Sequence, residues 1–231
     1  MHFRTALIVG AGAGLSAALA RRLAEQGTRV ALAARNAEKL APLAAEIGGV
    51  ALACDAAMPD EVAALFTETD RLGLIPDCVI YNPSRRLRGP IADLDPAAVA
   101  EVLAVSAYGG FLVGQQAARR MLARGAGAIG FTGASASVKG YALSAPFAMG
   151  KFALRGLAQQ SMARELHPQG VHVVHLVIDG GIRGEHHPPP ADAPDSLLDP
   201  DAVAATYLAA LQQPRNAWSF EVELRPWVER F

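Results

Sequence analysis

The segment Val9–Ser16 could bind phosphate, because it places three glycines between an apolar strand pattern and an alanine-rich helical pattern. Glycine lets the backbone turn sharply and approach a phosphate without a Cβ in the way. The start of the helix adds free N–H groups and the positive end of its dipole. This order predicts a dinucleotide-binding loop, and a glycine-rich turn without a ligand is the alternative. The residues predicted to contact the dinucleotide are Gly10, Gly12, Gly14, Leu15 and Ser16.

The end of the second predicted strand bears on the choice of dinucleotide. A carboxylate about 20 residues after the loop would bind the ribose 2′-hydroxyl of NAD, but the sequence there is Ala34-Arg35-Asn36. A guanidinium pairs with a phosphate through charge-assisted, often bidentate hydrogen bonds. Arg35 therefore predicts NADP(H) in preference to NAD(H). The alternative is that Arg35 is an ordinary surface residue at the start of a helix.

Strand and helix patterns alternate along the whole chain. The strand patterns are near-continuous apolar runs, which is typical of parallel strands covered on both faces. We therefore predict an α/β fold: a Rossmann-like, doubly wound, parallel seven-stranded sheet with helices on both faces, in a single domain of residues 1–231. The predicted strands are Thr5–Val9, Arg29–Ala34, Val50–Cys54, Cys78–Tyr81, Ala128–Thr132, Val171–Ile178 and Ser219–Leu224. The predicted helices are Ala13–Gln26, Ala37–Ile47, Pro59–Leu72, Pro96 to about Arg124, Ala145–Leu166 and Pro200 to about Gln212.

Composition excludes several classes of function. The 21 basic residues balance 22 acidic ones, so the chain lacks the cationic surplus that binding to nucleic acid requires. Arg85, Arg86 and Arg88 form a local basic cluster, which we interpret as part of a solvated loop. Cys54 and Cys78 make neither a metal motif nor a disulfide framework, so no metal site is expected.

Neither membrane association nor export is expected. Two uncharged stretches, Thr5–Ala20 and Val102–Ala118, are interrupted by glycine and polar residues and lack the pattern of a membrane span. The first residues lead directly into an apolar strand pattern, without the features of a signal peptide. The expected location is the cytoplasm.

The loop spacing Gly10-x-x-x-Gly14-x-Ser16 resembles that of the short-chain dehydrogenase/reductase family, with Ser16 in place of the last glycine. The resemblance extends over nearly the whole chain. It implies an adenine contact after the third strand and further contacts after the fourth and sixth strands. It also implies a lysine that binds the nicotinamide ribose. The cofactor-binding residues that it adds are Asp55, Ala56, Asn82, Gly180, Ile182 and Lys151.

The resemblance implies hydride transfer between a nicotinamide and a carbonyl or alcohol carbon, assisted by Asn, Ser, Tyr and Lys. The tyrosine exchanges a proton with the substrate oxygen, and the lysine four residues later lowers the tyrosine pKa. Here Lys151 matches the lysine, but Phe147, Ala134 and Ser106 occupy the tyrosine, serine and asparagine positions, with Ser135 directly after Ala134. Phenylalanine has no proton to give, so the family's acid–base step cannot run unchanged.

Two functions remain open from the sequence. The first is an NADP(H)-dependent oxidoreductase with a displaced proton donor, acting on a small carbonyl or activated C=C substrate. The second is a catalytically silent NADP(H)-binding protein that acts as a sensor, scaffold or partner subunit. The predicted catalytic residues are Lys151, Ser135, Tyr141 and Ser106. Further donor candidates are Ser144, a water molecule held by Lys151, and the pair His186-His187 in a predicted short substrate lid of residues 183–198.

The two long predicted helices also indicate self-association. They carry small residues, such as Ala117, Ala118, Gly156 and Ala158, that permit close approach of another helix. In the family that the chain resembles, these helices and the C-terminal edge form subunit interfaces. We therefore predict a homodimer or homotetramer.

Overall fold

In a computed structural model, which describes residues 1–184 and 187–229, the chain folds around one seven-stranded sheet. All strands are parallel, in the order β3-β2-β1-β4-β5-β6-β7. The sheet is therefore doubly wound about β1, and the predicted fold class is confirmed. The strands are β1 Thr5–Val9, β2 Arg29–Ala34, β3 Val50–Ala53, β4 Cys78–Tyr81, β5 Gly127–Thr132, β6 Val171–Ile178 and β7 Glu221–Leu224.

Helices cover both faces of this sheet. One face packs against α3, α5, α6 and α7, and the other packs against α1, α2 and α8. The inner strands β4 and β5 are consequently buried along their whole length, which explains their near-continuous apolar sequences. The helices are α1 Leu15–Glu25, α2 Ala41–Glu46, α3 Pro59–Arg71, α4 Pro96–Leu103, α5 Gly109–Leu122, α6 Ala145–Arg155, α7 Ala163–Leu166 and α8 Pro200–Leu211.

Two helix starts differ from the prediction for local reasons. The first helix begins at Leu15 and not at Ala13, because Gly14 has a non-helical backbone with φ −88° and ψ −124°. The helix predicted from Ala37 is divided into a tight turn, Glu38–Leu40, and the short α2. Pro42 lies in the first turn of α2, and proline has no N–H with which to continue a helix from the preceding turn.

Each of the two long predicted helices contains a wider, π-helical turn. Ala104–Tyr108 joins α4 to α5, and Gly156–Met162 joins α6 to α7. At the first turn, the Tyr81 hydroxyl donates a hydrogen bond to the carbonyl of Val105. Such a turn takes one extra residue and alters which side chains face inward; here Ser106 is completely buried.

The helical segment Pro96–Leu122 is long and apolar enough to cross a membrane by length and composition alone. Core helices of soluble proteins pass the same test. Here Val102, Val113, Ala117 and Met121 are buried within the fold, so one face of the segment packs in the core, and 39% of the apolar window is buried.

Four large apolar side chains remain exposed on α5, on α6 and on the π-helical turn before α5, and we call them the apolar strip. It consists of Tyr108, Phe111, Met149 and Phe152, each more than two-fifths exposed. The rings of Tyr108 and Phe111 stack with centroids 6.2 Å apart. Self-association through the two long helices stays a prediction, which light scattering of the purified protein at micromolar concentration tests. Of the small residues that suggested it, Ala117 and Ala158 are buried in the core of the chain itself and are not available to a second subunit.

Candidate active site

Two adjoining cavities lie at the carboxyl ends of the parallel strands, where ligands bind in open α/β sheets. The first, which we call the Lys151 cavity, has a volume of about 410 Å³. The second, the Arg35 cavity, has a volume of about 400 Å³. Gly10, Asn82 and Ser84 line both. One extended ligand with two halves could therefore occupy both cavities.

The glycine loop has the geometry that a phosphate requires. Gly10 has φ +79°, and a Cβ there would lie 2.5 Å from the nitrogen of Pro83. A Cβ at Gly12 or Gly14 would meet nothing within 4 Å, so the loop backbone can be approached closely from the cavity. No side chain caps the start of α1, and its first turn holds no acidic residue. Its N–H groups are thus available to an anion.

Replacing Gly10 by alanine is expected to destabilise the protein by about 2 kcal/mol or more, because the left-handed backbone and the contact with Pro83 both oppose a Cβ. Chemical unfolding of the variant measures this effect. Gly12→Ala is the matched control, since its Cβ would enter open space and should leave the free energy of unfolding nearly unchanged. Equal stability of the two variants would contradict this geometry.

Ser16 ties the loop to the end of β4. Its hydroxyl accepts a hydrogen bond from Asn82 Nδ2 at 2.7 Å and donates one to the carbonyl oxygen of Gly10 at 3.3 Å. The buried Ser16 side chain therefore fixes the position of Gly10 relative to Asn82. Leu15, Gly180 and Ile182 also line the Lys151 cavity, so the sequence-predicted contacts of this half come together.

The Arg35 cavity brings together the other predicted cofactor contacts. Arg35, Asp55 and Ala56 line it. The Asp55 carboxylate accepts a hydrogen bond from the N–H of Ala57 at 3.0 Å, which fixes its orientation. The Arg35 guanidinium has neither a hydrogen bond nor an ion pair with the described residues. It is therefore free to take an anionic partner.

Lys151 is the buried cation of the site. Its side chain on α6 is only 2% exposed, and Nζ donates a hydrogen bond to the carbonyl oxygen of Thr132 at 2.8 Å. Burial, with the positive charge of Arg86 as the second cause, lowers the pKa of Lys151 to about 8. The amine is thus mostly protonated at neutral pH and is a stronger acid than an ordinary lysine.

Phe147 lies one helical turn before Lys151 and faces the same cavity. Lys151 Nζ is 5.9 Å from the centroid of its ring, and Arg86 Cζ is 4.8 Å from that centroid. Both distances are within the range of a cation–π contact. Two cations therefore converge on one aromatic ring, and the lining of the Lys151 cavity contains no Asp or Glu among the described residues.

The hydroxyl groups proposed as displaced donors do not line the Lys151 cavity. Tyr141 is 48% exposed, with Lys139 Nζ 5.8 Å from its ring centroid. Ser135 lies in a tight turn after β5, and Ser144 precedes α6; neither lines the cavity, whereas Ala134 does.

Ser106 is buried behind α6. Its hydroxyl has no hydrogen-bond partner among residues 1–184 and 187–229. A Cβ at Gly150 would lie 2.6 Å from Ser106 Cβ and 3.1 Å from its hydroxyl oxygen. Ser106 is therefore adjacent to the residue that precedes Lys151, although it does not reach the cavity surface.

The first residues of the predicted lid form part of the cavity lining. Arg183 and Gly184 line it, and the N–H of Arg183 donates to the carbonyl of Leu198 at 2.9 Å. His187 lies against Gly181, where a Cβ would be 3.1 Å from its Nε2. His186 lies outside the described residues. A lid function for residues 183–198 stays a prediction.

Sequence reasoning missed several lining residues. Arg86 is exposed in a loop, as the interpretation of this cluster expects, but its guanidinium also lies over the ring of Phe147 and lines the Lys151 cavity, which that interpretation does not include. Arg85 pairs with Glu101 instead. The signal that could have identified Arg86 was its position two residues after the Asn82–Ser84 motif. The missed lining residues include Ser84, Arg86, Thr132 and Arg183.

Comparisons with known proteins agree with this fold. A model of the short chain dehydrogenase family matches residues 4–186. An uncharacterised oxidoreductase of Staphylococcus aureus is 27% identical over 96% of this chain and 97% of its own length. The crystal structure of a short-chain dehydrogenase from Rhodopseudomonas palustris is 40% identical, with TM-score 0.83 over 96% of this chain and 98% of that one. A metagenomic short-chain oxidoreductase solved in complex with NADP is 28% identical, with TM-score 0.83 over 99% of both chains.

The doubly wound sheet and the glycine loop at its carboxyl edge define an α/β protein that binds a nicotinamide dinucleotide. With the match over most of its length, the chain belongs to the short-chain dehydrogenase/reductase family of oxidoreductases.

Proposed function

We propose that this protein is an NADP(H)-dependent reductase of a small carbonyl or activated C=C compound, in which Lys151 replaces the family tyrosine as the source of the proton. The observation that carries this proposal is the buried amine of Lys151, whose pKa is lowered to about 8, at a cavity that adjoins the glycine loop. An acid whose pKa is close to the working pH is suited to donate a proton during the reaction.

The residues present fit NADP(H). The start of α1 would hold the phosphates that link the two halves, and Arg35 would pair with the 2′-phosphate. Asp55 and Ala56 would contact the adenine half, while Asn82, Gly180, Ile182 and Lys151 would contact the nicotinamide half. When bound, the reduced cofactor supplies the hydride for the substrate carbon. The relative solved with NADP supports the choice of cofactor.

The amine of Lys151 would move the proton. The Thr132 carbonyl takes one of its three N–H groups, which leaves two for a substrate oxygen or a water molecule between them. Phe147 supplies no hydroxyl at the adjacent position, so we favour Lys151, acting directly or through a water molecule that it holds, over Tyr141 and Ser135 as the source of the proton. The unpartnered Ser106 hydroxyl would take another water behind α6.

A screen for turnover tests the proposal. We expect the unmodified protein to bind NADPH and to oxidise it, measured by absorbance, with at least one member of a panel of small aldehydes, ketones and activated alkenes. Tyr141→Phe and Ser135→Ala are the controls, and both should retain turnover because neither side chain lines the Lys151 cavity. Loss of turnover in either control would contradict Lys151 as the donor.

A catalytically silent NADP(H)-binding protein is the second candidate. This candidate is supported by Ala134 and Phe147, which line the cavity but have no hydroxyl group to exchange a proton with a substrate. Under this alternative, the unmodified protein binds NADPH without turnover across the panel. Turnover that arises only after Phe147→Tyr is combined with Ala134→Ser would favour it over the reductase.

A further inference from the structure

Arg86 is a cation at the mouth of the Lys151 cavity that has no anionic partner. Its guanidinium makes no hydrogen bond or ion pair with the described part of the chain. Two arginines close to it differ in this respect, since Arg85 pairs with Glu101 and Arg183 pairs with Asp199 at 2.5 Å.

The contact with Phe147 leaves the binding capacity of this guanidinium intact. Arg86 Cζ lies 4.8 Å from the ring centroid, and an aromatic face contacts a guanidinium without using its N–H donors. Those donors form a planar fork that matches a carboxylate through two parallel hydrogen bonds. The ring thus supports Arg86 in the cavity while the fork remains available.

The charge of the cavity also favours an anion. Arg86 and Lys151 both contact Phe147, and none of the described lining residues is acidic. Each cation raises the energy of the other, and Arg86 is one cause of the lowered pKa of Lys151. A carboxylate placed beside them would relieve this repulsion.

We propose that Arg86 binds a carboxylate of the substrate, so that the substrate is a small oxo acid and not a neutral carbonyl compound. This inference rests on the proposed reductase function. The phosphates of the cofactor would have other partners, at the uncapped start of α1 and at Arg35. Arg86 lies instead beside Phe147 and Lys151, where the substrate would react.

Substrate binding can be measured without turnover when the protein carries the oxidised cofactor. The protein saturated with NADP⁺ cannot reduce a ketone, so isothermal titration with 2-, 3- and 4-oxo carboxylates and with their methyl esters measures binding alone. The variants are Arg86→Gln, Arg86→Lys and Arg88→Gln. Arg88 is the matched control, because it belongs to the same basic cluster and lines neither cavity.

We expect at least one oxo acid to bind the unmodified protein about tenfold or more tightly than its ester. Arg86→Gln should remove this preference, Arg86→Lys should restore only part of it because an ammonium has no fork, and Arg88→Gln should keep it. Added salt should weaken binding of the acid but not of the ester, since Arg86 is exposed at the mouth of the cavity.

Equal binding of acids and esters, or no measurable binding of any acid, would overturn the inference. It would also be overturned if Arg86→Gln weakened NADPH binding and left the preference for acids unchanged, because Arg86 would then belong to the cofactor site. Absence of NADPH oxidation in a protein that still prefers acids through Arg86 would instead refute the reductase function alone.

Discussion

Replacing Lys151 by methionine is expected to lower NADPH-dependent turnover by about 100- to 10,000-fold, which is the usual contribution of a positioned general acid. Methionine fills a similar volume in this buried position and removes the charge. Affinity for NADPH should fall much less, because the glycine loop and Arg35 remain. Turnover is measured by the loss of NADPH absorbance, and the dissociation constant of NADPH is measured by fluorescence titration.

The variant Lys151→Arg distinguishes the effect of the positive charge at this position from the ability to donate a proton. A guanidinium stays charged because its pKa is far above that of an amine, so it cannot release a proton near neutrality. This variant should keep NADPH affinity and lose turnover like the methionine variant, and thermal unfolding of both variants confirms that they fold. Turnover that survives in either variant would show that the proton comes from another group.

Replacing Arg35 by alanine is expected to reduce the ratio of NADPH affinity to NADH affinity about tenfold or more. The reason is the loss of a charge-assisted pair with the 2′-phosphate, and the estimate is modest because Arg35 is exposed to solvent. Fluorescence titration with each reduced cofactor measures both dissociation constants.

Lys39→Ala is the control for this prediction. Lys39 is an exposed cation in the turn that follows β2, and it does not line the Arg35 cavity. Lys39→Ala removes one positive charge, as Arg35→Ala does, so a nonspecific electrostatic effect would appear in both variants. Equal affinity of the unmodified protein for NADPH and NADH, or an unchanged ratio in Arg35→Ala, would refute the preference for NADP(H).

The strands were predictable because their signals are local. The bounds of β1, β2, β4 and β6 agree with the prediction, since continuous apolar runs end at glycine or polar residues. The π-helical turns were not predictable in this way. The turn at Ala104–Tyr108 accompanies contacts with Tyr81, which is distant in sequence and becomes a neighbour only in the folded sheet.

The residues of the site also differ in whether their place could be predicted from local sequence. The glycine loop and Arg35 could be placed at the site from the sequence, because each directly follows a strand and the carboxyl ends of parallel strands meet at one edge of the sheet. Arg86 and Phe147 are far apart in the chain, and only the folded loop brings the guanidinium over the ring. The absence of Tyr141 and Ser135 from the cavity lining likewise depends on tertiary structure.

The dependence of kcat/KM on pH, at saturating NADPH, tests most directly whether Lys151 donates the proton. The protonated amine is the active form, and its pKa is lowered to about 8. We therefore predict a constant value at lower pH and a fall of about tenfold per pH unit above that pKa. A profile that stays flat up to about pH 10, where an ordinary lysine or tyrosine would begin to lose its proton, would contradict the account.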